Sequence, residues 1–146
     1  MKRVNVAIIG CGFIAETAHI PNLLSIAEAK LVALSDINKN RLLEIASKFG
    51  IKEEDCYTDF DYILKRGDVD AVIICTPTFT HADIAIKAAK AGKHIFVEKP
   101  MAESSLDADN MITASEENKV KLMVGHFMSF LPTHQKVKKL IKNCTL

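Results

Sequence analysis

Short β-rich runs alternate with helical stretches along the whole chain, and that alternation limits what it can fold into. The runs cover Val4–Ile9, 31–35, a very short 56–58, 71–75, His94–Val97 and Leu122–Val124. The first and fourth are almost wholly apolar, as strands covered on both faces must be. Between the runs, apolar residues recur at helical spacing. The first such stretch is 13–29, where Pro21 predicts a kink or a restart because its ring removes an intrahelical bond. Lys39–Phe49 follows, with Leu42, Ile45, Ala46 and Phe49 on one face and Gly50 as terminator. Asp59 caps a short helix that runs through Arg66 and ends at Gly67. Thr80 with Asp83 imitates a capping box ahead of the small face Ile84, Ala85, Ala88 and Ala89, which Gly92 closes. A fifth helix starts at Ser104 or Ser105 and ends at Glu117, and a sixth spans 133–142. Strands alternating with such helices imply βαβ units. The expected fold class is therefore α/β: a doubly wound parallel sheet in a three-layer αβα sandwich. If the strand order is 3-2-1-4-5-6, strands one and four flank the ligand crevice at the switch point.

Composition narrows the class further. The chain has 146 residues, enough for one domain. Its 49% hydrophobic and 25% charged residues are those of a globular protein, not a disordered or fibrous one. A net charge of +1 offers no reason to expect a nucleic-acid partner. The apolar run from Val4 is interrupted by Gly10 and Gly12 and falls short of the roughly 20 residues a bilayer requires, so no membrane partner is expected. No signal peptide is read at the N-terminus. Cys11, Cys56, Cys75 and Cys144 are scattered without a CxxC pair, which reads as reduced thiols in a cytoplasmic protein without a metal site. Lys136, Lys138, Lys139 and Lys142 read as a solvated helix face, with an anion-binding patch as the alternative.

Chemistry gathers at the carboxyl ends of the expected strands. Gly10-Cys11-Gly12-Phe13-Ile14-Ala15 fits GxGxxA directly between a buried strand and a helix. Gly10 permits the tight turn, Gly12 lets backbone approach a pyrophosphate, and Ala15 lets helix and strand pack closely. The ligand-free alternative is a plain strand–helix turn. Asp36, at the end of strand two, suits a ribose diol and repels a 2′-phosphate, which favours NAD as cofactor. Lys39 and Arg41 leave NADP open, and a turn or N-cap role is the other reading of Asp36. Thr76-Pro77-Thr78 follows strand four, either as a bare turn or as a rigid loop offering the Thr76 hydroxyl to a dinucleotide. Glu98-Lys99-Pro100 follows strand five. There Lys99 could polarise a carbonyl or take a hydroxyl proton, with Glu98 orienting it or binding ribose. A surface salt bridge is the bland alternative for that pair.

Together these motifs resemble the glucose–fructose oxidoreductase / inositol dehydrogenase / MocA (Gfo/Idh/MocA) family. The stretch from Ala88 to Pro100 carries most of the similarity, with His19-Ile20-Pro21 and Val124-Gly125-His126 adding to it. The resemblance implies a Rossmann domain that binds NAD(P) for an oxidoreductase acting on a sugar, polyol or related alcohol. It places Gly10, Gly12, Phe13, Ile14, Asp36, Thr76, Pro77, Thr78, His81, Glu98 and Lys99 around the cofactor. It gives Lys99 the catalytic position and sets Lys99 and His126 toward the substrate. The family often has an Asn and an Arg after Gly-His, where this chain has Phe127 and Ser129. Two histidines stay open between structural and site roles, His81 and His126. His19 is read as packing against the Pro21 break, with contact to the cofactor loop as the alternative. His94 and His134 are read as structural or exposed.

The family also carries a second α/β domain that supplies substrate contacts and the usual homo-oligomer interface. The chain ends at Asn143-Cys144-Thr145-Leu146, where the family crosses into that domain. The expectation is one dinucleotide-binding domain over 1–146, with the substrate domain absent or truncated. A non-catalytic NAD(H)-binding module or partner subunit is the competing reading.

Overall fold

The computed structural model describes residues 3–143. Six strands form one parallel sheet: β1 (Val4–Ile9), β2 (Ala29–Ser35), β3 (Cys56–Tyr57), β4 (Ala71–Ile74), β5 (His94–Val97) and β6 (Leu122–Val124). Their order is β3-β2-β1-β4-β5-β6, the doubly wound order that places strands one and four at the switch point. The helices are α1 (Ile20–Ser25), α2 (Lys39–Phe49), α3 (Asp61–Lys65), α4 (His81–Lys90), α5 (Ser105–Glu117) and α6 (Pro132–Lys142).

The three layers follow from the period of two along each strand. In β1, Val6 and Ile8 point into a core shared with Ile20 and Leu23 of α1 and Leu42 and Ile45 of α2. Ala7 and Ile9 point the other way, into a core with Ile63 of α3, Ile84 and Ala88 of α4 and Met111 of α5. β4 splits likewise, Ile73 to the first core and Val72 and Ile74 to the second. A central strand with apolar residues on both faces has no solvated side, hence the unbroken apolar runs in the sequence.

Three local expectations need correction. The first helical segment ends at Ser25, and β2 begins at Ala29 rather than at residue 31. The restart expected at Pro21 is present, with α1 beginning at Ile20. A π-helical turn over Ala15–His19 precedes α1, and the Ile20 N–H donates to the Ala15 carbonyl. Pro21 thereby falls in the first turn of α1, where its missing N–H has no partner to lose. Thr80 does not cap α4 through its side chain. The 3₁₀ turn Thr78–Thr80 runs straight into the helix, and the Thr80 hydroxyl lies 2.6 Å from Thr76 Oγ1 and 2.7 Å from the Pro77 carbonyl. Asp83 pairs with Lys87 instead, at 3.0 Å. Phe60, not Asp59, is the N-cap of α3, which ends at Lys65, and Asp59 Oδ1 accepts from the Asp61 N–H at 2.9 Å; the next two caps are as expected. Ser104, the earlier of the two candidates, accepts from the Asp107 N–H at 3.1 Å, and Gly50 ends α2 at a φ of 70°. Of the four cysteines, Cys144 lies outside the described residues.

One buried cation was not singled out from sequence. Lys93 is buried at the end of the sheet opposite the glycine loop, and its Nζ donates to the carbonyls of Arg66 (2.7 Å) and Val69 (2.9 Å). Lys93→Met keeps the apolar stem but strands both carbonyls, each worth about 1–3 kcal/mol, offset by the relief of a buried charge. Urea unfolding of that variant is expected to show a net loss of about 1–3 kcal/mol at unchanged m. Wild-type stability would mean those carbonyls find other partners.

Candidate cofactor site

The glycine loop leaves β1 pressed against the start of the loop after β4. Gly10 has a φ of 96°, and a Cβ there would lie 2.7 Å from the Cys75 carbonyl carbon and 2.8 Å from the Thr76 nitrogen. No residue with a side chain fits. Gly12 is the opposite case: a Cβ there would meet nothing within 4 Å. Its face is open, as the backbone must be where a pyrophosphate is to approach.

Asp36 combines both of its sequence readings. Its Oδ2 accepts from the Cys11 N–H at 2.7 Å and its Oδ1 from the Asn38 N–H at 2.8 Å. The carboxylate therefore ties the end of β2 to the glycine loop and opens the turn into α2. Each carboxylate oxygen has a second lone pair, so capacity to accept from ribose hydroxyls remains. Arg41 grips the same loop residue from the other side, its Nε donating to the Cys11 carbonyl at 2.9 Å. The rest of its guanidinium pairs with Glu16 and, at 3.0 Å, with Glu44. Lys48 adds a second cation on Glu16 at 2.6 Å. Hydrogen bonds from Lys48 and Arg41 hold the Glu16 carboxyl below its usual range. The neighbouring thiols are quiet: burial, with Asp36 beside it, pushes Cys11 up to about 12, and burial also raises Cys75.

A crevice of about 640 Å³ opens between this loop, the end of β2 and the loop after β4. Gly10, Gly12, Asp36, Thr76 and Pro77 all line it, as do Ile37, Phe60 and Phe79. Ile37 is 94% exposed and Phe79 69% exposed. Two bare apolar side chains at the mouth of a slot suit a flat aromatic ring. Sequence reading passed over both. Their signal was an apolar residue directly after Asp36 and an aromatic one in the Thr-Pro loop, where a solvated turn would be polar.

Further along the same sheet edge lie Glu98, Lys99 and His126. Glu98 does orient Lys99, but through the main chain: its Oε2 accepts from the Lys99 N–H at 3.1 Å. Its Oε1 lies 2.8 Å from His19 Nε2, and the His19 ring stands edge-on to Phe96 at 5.2 Å. His19 therefore pairs with the loop after β5 rather than simply packing at Pro21, because the π turn carries its ring across to β5. Gly125 is buried beneath this pair; a Cβ there would press on Glu98 Oε1 and on the Phe96 ring, both at 3.2 Å. His81 is 1% exposed. Its Nε2 lies 2.8 Å from the Thr76 carbonyl and its Nδ1 3.0 Å from the Pro100 carbonyl, so it braces the loops after β4 and β5. Lys99 is exposed, and the Lys99–Pro100 peptide bond is cis. Phe13 and His126 are also exposed, Thr78 is half-buried and Ile14 lies at the surface next to them in sequence. Among the described residues no three His, Cys, Asp or Glu side chains converge as metal ligands. No helix there is long and apolar enough to cross a membrane.

The model of an oxidoreductase family with an NAD-binding Rossmann fold, GFO_IDH_MocA, matches residues 4–126. The chain is 38% identical over 138 residues to 4-carboxy-2-hydroxymuconate-6-semialdehyde dehydrogenase of Sphingobium sp., covering 94% of this chain and 43% of that protein. It is 36% identical over 143 residues to myo-inositol 2-dehydrogenase of Thermotoga maritima, covering 98% and 42%. The crystal structure of the WlbA dehydrogenase of Bordetella pertussis in complex with NADH and UDP-GlcNAcA superposes with a TM-score of 0.89 at 31% identity, over 97% of this chain and 42% of that one. The chain thus spans about two fifths of the length of these relatives.

Proposed function

The chain belongs to the Gfo/Idh/MocA oxidoreductase family, and on that premise we propose that it is the cofactor half of an enzyme acting on a sugar, a polyol or a related alcohol or carbonyl. The observation that carries this reading is convergence: the glycine loop, Asp36 and the Thr76-Pro77 turn, from three separate strand ends, line one crevice. The open face of Gly12 takes the pyrophosphate and the Asp36 carboxylate the ribose diol, which favours NAD over NADP. Ile37 and Phe79 flank the adenine. When bound, the nicotinamide supplies or accepts the hydride. Lys99 then moves a proton at the substrate oxygen, as an ammonium beside a carbonyl or as its conjugate base beside a hydroxyl. Glu98, held by His19, fixes the backbone from which Lys99 reaches, and His126 borders the substrate.

Substrate selection and oligomer contacts belong to further polypeptide in this reading. Val137 and Ile141 of α6, with Phe127 and Phe130 before it, are exposed apolar side chains that such a domain would cover. A cytoplasmic enzyme, homo-oligomeric in its full form, fits the reduced thiols. The competing reading is a non-catalytic NAD(H)-binding module or partner subunit. The coding sequence past Leu146 separates the two: an open frame supports the enzyme and a stop supports the module.

Titration of the chain with NADH, followed by nicotinamide fluorescence, is expected to show saturable binding; its absence would sink the cofactor reading. Lys99→Met is expected to leave that affinity within about twofold. In the full-length enzyme it should cut turnover by about 10²–10⁴, the usual contribution of a general acid–base. Full turnover in that variant would remove Lys99 from the chemistry.

A further inference from the structure

In the sequence Asp36 favours NAD over its 2′-phosphorylated form while Lys39 and Arg41 leave the other open, and the structure surrounds Asp36 with a larger charge cluster. Asp36 accepts from the Cys11 N–H while Arg41 donates to the Cys11 carbonyl, so the carboxylate and the guanidinium hold opposite sides of one loop residue. A guanidinium there is the fork that suits a 2′-phosphate. It is not presented to the crevice as one. Its Nε is on the Cys11 carbonyl, one terminal nitrogen is on Glu16 and the other on Glu44. Bidentate recognition of a phosphate needs two parallel N–H donors on one edge; three of the five N–H groups of Arg41 are held by the protein, and each terminal nitrogen keeps only its second N–H. Glu16 is itself anchored by Lys48. It sits in the π turn that follows the glycine loop, so its place is set by the same backbone that forms the cofactor site.

We propose that Glu16 is a specificity-determining residue that excludes the 2′-phosphorylated dinucleotide by sequestering Arg41, which is otherwise a phosphate ligand. The inference rests on the reading that this crevice takes a nicotinamide dinucleotide. Asp36 repels the 2′-phosphate directly, and Glu16 withholds the guanidinium that holds the other side of Cys11. Lys39 and Arg41, which left NADP open in the sequence, then differ in kind. Lys39 is an exposed lysine in the turn, whereas Arg41 is committed to the protein.

The test is NADH and NADPH affinity of the chain by fluorescence titration at low and at physiological salt. Wild type is expected to prefer NADH. Glu16→Gln should leave NADH affinity within about twofold and tighten NADPH about tenfold, the scale of one charge-assisted pair with phosphate. That gain should shrink with salt and vanish in Glu16→Gln/Arg41→Met. Arg41→Met alone should cost NADPH no more than it costs NADH, because Arg41 is not a phosphate ligand in the wild type and its bond to the Cys11 carbonyl serves both cofactors alike. The inference is overturned if Glu16→Gln binds NADPH no better while NADH is unchanged, or if both cofactors shift together, which would make Glu16 a brace for the loop. A cost to NADPH larger than that to NADH from Arg41→Met alone overturns it independently of how Glu16→Gln folds. If the wild-type chain binds neither cofactor, the underlying cofactor reading fails, and that result is distinct from the others.

Discussion

Gly10→Ala is expected to destabilise the domain by roughly 3–5 kcal/mol. Two costs combine. A φ of 96° is a conformation that L-residues avoid, at about 1–3 kcal/mol. The new methyl would also sit 2.7–2.8 Å from the main chain at Cys75 and Thr76, and overpacking of that kind adds about 1–3 kcal/mol. Main chain cannot swing aside as a flexible side chain does. Here it belongs to the exit of β4, a central strand paired with both β1 and β5. Gly12→Val is the matched control in the same loop. Its side chain meets open space, so stability should change little. The isopropyl group instead fills the volume reserved for phosphate, and NADH affinity should fall by more than about tenfold. Urea unfolding and NADH titration of both variants separate the two roles. A Gly10→Ala protein as stable as wild type would mean the β1 exit relaxes away from β4. A Gly12→Val protein that binds NADH normally would move the pyrophosphate elsewhere.

This contrast shows what was legible in the sequence. Periodicity and turn residues carry the alternation of strands and helices, because each strand's burial is written in its own consecutive side chains, whereas the strand order entered only as a condition. The GxGxxA spacing locates the loop but not the different reasons for its two glycines, since the atoms that crowd Gly10 come from residues 75 and 76. Local helix punctuation was readable where one residue decides it, as at Gly50 and Ser104. It failed at Thr80, where a 3₁₀ turn re-routes the backbone hydrogen bonds. The site followed the same rule. Asp36 was visible because it ends a strand. The pairing of His19 with Glu98 joins residues 79 positions apart, and no spacing rule reaches that far. Arg41 showed its charge in the sequence but not the two carboxylates that occupy it.

His81→Leu is expected to cost roughly 1–3 kcal/mol, although leucine nearly fills the imidazole's volume. The ring is buried, and each nitrogen lies at hydrogen-bond distance from a main-chain carbonyl, Thr76 at 2.8 Å and Pro100 at 3.0 Å. A neutral imidazole has one N–H and satisfies one of these carbonyls at a time; the imidazolium donates to both. Leucine satisfies neither, so the carbonyl that a neutral ring does satisfy loses its donor, at about 1–3 kcal/mol. The loss is local to the two loops that bracket the crevice and Lys99. Amide exchange should therefore rise at residues 76–80 and 98–101 more than across the sheet. NADH affinity should weaken less than in Gly12→Val, because the glycine loop is untouched. His81→Gln offers a donor to one carbonyl and should recover part of the stability. Equal losses in the Leu and Gln variants would mean ring shape, not hydrogen bonding, holds the two loops. Wild-type stability in His81→Leu would mean that the loops after β4 and β5 do not depend on the histidine.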